Sequence, residues 1–120
     1  MFELVRQSSH LVVAFEGVLT DDDFIKCFTE IVSLSIAEPN TSLLVDLSGI
    51  ERISVQSGTV RRAADLFKPL SSNVTRRVAI IAPREEMFGM ARMYQLMRPP
   101  SQSELNVFRT AAGAKEWLGG

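Results

Sequence analysis

The chain has 120 residues, 46% hydrophobic and 22% charged, the composition of an ordinary folded domain rather than of a disordered tail or a membrane-spanning protein. That length suffices for one hydrophobic core and predicts a single domain over 1–120. A net charge of −1 with a pI near 5.8 excludes a dedicated nucleic-acid binder, and the single cysteine, Cys27, excludes an internal disulfide and a cysteine-rich metal site.

Leu11-Val12-Val13-Ala14-Phe15 is too short an apolar run for a secretory or spanning segment, so a cytoplasmic protein with no membrane span is expected. Phe2 to Gln7 and Leu11 to Glu16 read as two strands joined by Ser8-Ser9-His10, short enough for an antiparallel hairpin with His10 in its turn. Gly17 is expected to end the second strand. Thr20 then precedes Asp21-Asp22-Asp23, a hydroxyl cap followed by three carboxylates where a helix dipole favours negative charge. The stripe Phe24, Cys27, Phe28, Ile31 has helical spacing, and Pro39 predicts that the helix stops near Ala37.

Leu43 to Leu47 is continuous rather than alternating, the pattern of a parallel strand buried on both faces. It is expected to run into a polar turn and then a second helix, about Val55 to Lys68, burying Val60, Ala63, Ala64 and Phe67. The pairs Arg61-Arg62 and Arg76-Arg77 read as solvated surface. Arg77 to Ala82 is the next strand, Pro83 stops it, and a third helix starts with Glu85 and Glu86 in its first turn. Leu105 to Arg109 and Ala111 to Leu118 complete the chain as a short strand and a short helix. The order ββαβαβαβα predicts an α/β fold with a mixed, mostly parallel five-stranded sheet and flanking helices.

Val45-Asp46-Leu47-Ser48-Gly49-Ile50 resembles the signature strand and turn of the STAS domain, the fold of bacterial anti-sigma-factor antagonists, and Val78-Ala79-Ile80-Ile81-Ala82-Pro83 resembles its fourth strand. Phe88-Gly89-Met90-Ala91-Arg92-Met93-Tyr94, Val107-Phe108-Arg109 and Glu116-Trp117-Leu118 resemble poorly characterised bacterial STAS-like proteins. The resemblance covers essentially the whole chain and implies a regulatory or interaction role without a reaction. In the antagonists the turn before the second helix reads Asp-Ser-Ser-Gly, and its first serine is phosphorylated. Here Gln56 stands at that place, Ser57 matches the second serine, and the spacing from Gly49 to Gly58 is one residue longer.

Ser57, Gly58 and Thr59 open the second helix, where free N–H groups can hold an anion, and Asp46 lies on the preceding strand; these four form the anion or phosphoacceptor candidate. The residue-level alternative is that Ser57 only begins a helix and that Asp46 accepts hydrogen bonds from the turn after it. Catalysis lacks its parts. His10, the only histidine, is expected at the opposite end of a strand from Ser57, and Cys27 sits on an apolar stripe. Asp21 to Asp23 are explained by helix-start chemistry, so no metal is expected, and no glycine-rich phosphate motif points to a cofactor.

The third helix carries more apolar residues than one core face needs. Met87, Met90, Ala91, Tyr94 and Met97 form one face, while Phe88, Met93 and Leu96 fall outside it and are expected to meet a partner or line a ligand groove. The alternative is that the segment Arg98 to Ser103, with Pro99-Pro100, folds over them. The sequence thus predicts a non-enzymatic module that binds a protein or a second copy of itself as a homodimer. The runner-up is a carrier or sensor of a small apolar or lipid-like ligand held between the second and third helices.

Overall fold

The computed structural model describes residues 1–7, 9–70, 76–98 and 103–119. The chain runs β1 (Phe2–Arg6), β2 (His10–Thr20), α1 (Asp21–Ala37), β3 (Ser42–Ser54), α2 (Ser57–Leu66), β4 (Arg77–Ile81), α3 (Glu85–Met97), β5 (Glu104–Phe108) and α4 (Ala111–Trp117), with a 3₁₀ turn over Lys68–Leu70. The sheet order is β1-β2-β3-β4-β5; β1 is antiparallel to β2 and every later pair is parallel. This is the predicted order, and each parallel pair is joined by a helix that returns the chain to the starting end of the sheet.

Alternation sets what lies on each face. Leu11, Val13 and Phe15 of β2, Leu43 and Leu47 of β3, and Val78 and Ile80 of β4 join α1, α2 and α3 in one large core. Leu44, Ala79 and Ile81 point the other way and pack with Ala114 of α4, with Phe108, Trp117 and Leu118 against them. Arg77 ties α4 down, since its guanidinium donates to the Trp117 carbonyl at 2.8 Å and lies 5.2 Å from the indole centroid. The central strands are thus apolar on both faces because both faces are covered.

Two strands are longer than expected. Gly17 does not end β2: it takes φ +73°, which glycine adopts without a Cβ penalty, and the strand continues to Thr20 with Leu19 buried. The turn expected after Leu47 is also strand, because β3 continues to Ser54 alongside the added length of β2. The pairing jumps from Ala14↔Asp46 to Glu16↔Gly49 and from Gly17↔Ile50 to Val18↔Arg52, so β3 holds one extra residue at each step. Each bulge turns a spacing of three into the phase of an alternating strand. Leu47, Ile50 and Ile53 therefore all reach the same core although they are three residues apart.

The first helix follows its signals closely. Thr20 Oγ1 accepts from the Asp23 N–H at 3.2 Å, and Phe24, Cys27 and Ile31 are buried, with Phe28 stacked 4.9 Å from Phe24. His10 is corrected: it is the first residue of β2, half-buried and paired with Ser42, rather than a turn residue. Arg76 is corrected too. It is only 8% exposed, whereas its neighbour Arg77 is exposed as expected.

Candidate functional site

The start of α2 is closed by another part of the chain. Asp21, first residue of α1, accepts the Gln56 N–H through Oδ1 at 3.0 Å. Gln56 is the N-cap of α2 and makes no side-chain cap bond; the carboxylate from α1 accepts the N–H of the cap residue itself, the part that the Glu of a capping box plays from within its own helix. That N–H, then the Thr59 hydroxyl, holds the Asp21 carboxyl below the usual carboxylate range. Ser57 and Gly58 are exposed at the first two positions of the helix, and Thr59 is buried one step further on. Asp46 is not part of this terminus. It lies mid-strand, where Oδ1 accepts from the Ser48 N–H at 2.9 Å and from its hydroxyl at 2.6 Å, and eight further residues of β3 lead to Ser54.

Phe88, Met93 and Leu96 do not make one patch. Phe88 is half-buried in the first turns of α3 with the Arg109 guanidinium 4.0 Å from its ring centroid, and Met93 is half-buried against the main core. Leu96, about 12 Å further along the axis, is 78% exposed. The covering segment weighed in the sequence falls largely on 99–102, outside the described residues. Sequence reasoning missed two companions of Leu96. Ile36 and Leu66 are also exposed, and all three sit on the last turn of their helices. α1, α2 and α3 each run back toward the end where the parallel strands start, so all three residues lie on helix ends directed at one pole, though not side by side: Phe67, next to Leu66, packs 6.0 Å from Phe28, about two turns of α1 before Ile36.

Beneath that pole lies a cavity of about 100 Å³. Its wall is largely apolar: Phe24, Phe28 and Ile31 of α1, Leu43 and Val45 of β3, Met90 and Tyr94 of α3. The space lies over the sheet between α1 and α3, and α2 contributes only its C-cap Phe67, so the predicted location between the second and third helices is corrected. Arg76, Arg98 and Ser103 give the lining a polar end. The Arg76 guanidinium lies 5.7 Å from the Phe67 centroid, and its Nε has no hydrogen-bond partner among the described residues. Burial pushes Arg76 down to about 10. Arg98 donates to the Ser103 carbonyl at 2.8 Å, while burial raises Tyr94 to about 12 against the pull of both arginines. Arg76 precedes Val78 and Ile80 by two and four residues, and that alternation was the signal that it faces inward.

The nucleophile candidates are set apart. Cys27 is buried in the wall of the same cavity, and desolvation raises its thiol to about 12, far from thiolate formation at neutral pH. His10 pairs with Ser42 where β3 starts, whereas Ser57 follows the far end of that strand.

A family model described as SpoIIAA-like matches residues 10–119. The chain belongs to the SpoIIAA-like family. Among solved structures it is similar to an uncharacterised DUF3478-family protein with a SpoIIAA-like fold from Shewanella loihica PV-4, at 20% identity and TM-score 0.61, covering 98% of this chain and 92% of that one. It is also similar to the anti-sigma factor antagonist SpoIIAA in its unphosphorylated form, at 14% identity and TM-score 0.60, covering 100% of this chain and 99% of the other. No curated protein matches. At these identities the likeness is one of fold. Within this SpoIIAA-like chain no described helix is long and apolar enough to cross a membrane, and the described residues hold no cluster of His, Cys, Asp and Glu suited to a metal ion.

Proposed function

We propose that this SpoIIAA-like chain is a non-enzymatic regulatory module that binds another protein, a partner or a second copy of itself, through the pole where α1, α2 and α3 end. The observation that carries the reading is the exposure of Ile36, Leu66 and Leu96 on the last turns of these three helices, 68%, 37% and 78% respectively. Large apolar side chains left exposed on the last turns of three helices are costly in water and gain about 25 cal/mol per Å² when a partner covers them. A neighbour of the same fold is an anti-sigma factor antagonist, a protein that works on other regulatory proteins, which fits a binding role.

The test compares wild type with the Ile36→Glu/Leu96→Glu variant. Sedimentation of each alone reads self-association, and capture from extracts of the native host reads a partner. A dimer or a stoichiometric partner that the double variant loses while keeping its melting temperature supports the reading; equal association by both proteins contradicts it. A second reading, a carrier or sensor of a small ligand, is favoured by the cavity between α1 and α3 with its largely apolar wall.

A further inference from the structure

The cavity has two chemically different ends, and the difference specifies an occupant. One end is made by Leu19, Phe24 and Leu47 near the start of α1; the other is made by Arg76 and Arg98 beside Tyr94. Arg98 already donates to the Ser103 carbonyl. Arg76 differs: it is more than nine-tenths buried, its Nε has no partner among the described residues, and no described carboxylate lies within ion-pair distance of it. Its guanidinium lies over the face of Phe67 and acts electrostatically on the Tyr94 phenol, and neither neighbour carries a negative charge at neutral pH. A largely buried guanidinium whose Nε is unpartnered carries part of the cost of burial without the compensation that a paired arginine receives, and its fork of donors matches a carboxylate.

We propose that the cavity binds a small carboxylic acid with an apolar body, its carboxylate on Arg76 and its body against Phe28, Leu43 and Met90. Size limits the body. At about 100 Å³ the space is smaller than the roughly 150 Å³ engineered cavity that accepts benzene, so the body is a short chain of about five carbons beyond the carboxylate, as in hexanoate, rather than a ring or a long acyl chain. The inference rests on the second reading above and adds to it the head-group chemistry. It also gives Arg76 a reason to be inward: ligand charge offsets a cost that the empty protein bears.

The experiment titrates the full chain with sodium hexanoate and, separately, with 1-hexanol, a neutral molecule of the same length. Binding is read from the methyl signals of methionine labelled at the ε-carbon, with Met90→Leu assigning the reporter in the cavity wall and Met1 serving as a remote control. Hexanoate is expected to shift Met90 saturably and to bind at least tenfold more tightly than 1-hexanol. Arg76→Met should lose that tenfold preference while still binding 1-hexanol, and Arg76→Lys should keep part of it. If hexanoate and hexanol bind wild type alike, or if Arg76→Met holds hexanoate as tightly as wild type, the acid assignment is wrong although the cavity still binds. If neither compound moves Met90, the ligand reading itself falls.

Discussion

Asp21 shows how one carboxylate can serve two elements. It is the first residue of α1, where the helix dipole favours it, and it accepts the Gln56 N–H at the start of α2. Its folded pKa lies below the usual value, so the stabilisation is fully present above the unfolded value near 4 and fades as pH falls through the folded one. Asp21→Asn should therefore lower the melting temperature at pH 7 and flatten its decline below pH 4, which thermal melts across pH would register. Ser57 is the first residue of α2 and not its cap, so Ser57→Ala should change stability by no more than about 0.5 kcal/mol and leave partner binding unaltered. Substantial phosphate on Ser57 in cells would contradict that reading, since the charge would be placed next to the helix end that Asp21 occupies. Gly49 is constrained differently. A Cβ there would stand 2.6 Å from the Phe15 carbonyl oxygen, so Gly49→Ala should cost about 1 to 3 kcal/mol in chemical denaturation.

Among the elements, α3 separates core from surface most sharply. Met87, Met90, Ala91 and Tyr94 are buried, and Tyr94 packs 5.0 Å from Phe28 across the cavity. Tyr94→Ala should destabilise the domain by about 2 to 4 kcal/mol through the space it opens, whereas Leu96→Glu should leave the melting temperature within a degree or two. A severe loss on Leu96→Glu would mean that its exposed side chain has a structural role. The helix stripes were legible in the sequence because burial at a 3.6-residue period leaves a visible mark, and α1 even shows its cap, Thr20. The ends of β2 and β3 were not. Gly17 and Ser48-Gly49 are turn residues by composition, yet here they accommodate bulges, and a bulge shifts the alternation that a reader of sequence relies on.

At the scale of the molecule, the order of elements and the family were readable from the chain, whereas the functional geometry was readable only in part. The cavity depends on packing between α1 and α3, elements far apart in sequence, so no local pattern announces it. Arg76 was hidden by its neighbour, since two adjacent arginines look like surface although a strand sends them to opposite sides. Replacing Arg76 with Met should raise the stability of the ligand-free protein by about 1 to 3 kcal/mol, because an unpaired buried charge is exchanged for an apolar side chain of similar length. Destabilisation on that change would show that the guanidinium is held by favourable contacts in the empty protein.

Binding through the ends of α1, α2 and α3, as proposed, is tested most directly by native mass spectrometry of the protein isolated from its own host. The wild-type chain should appear in a complex heavier than the 13.3 kDa monomer, and the Ile36→Glu/Leu96→Glu variant should appear as the monomer alone with its fold intact. A wild-type spectrum of monomer only, or a complex that survives in the double variant, would contradict it.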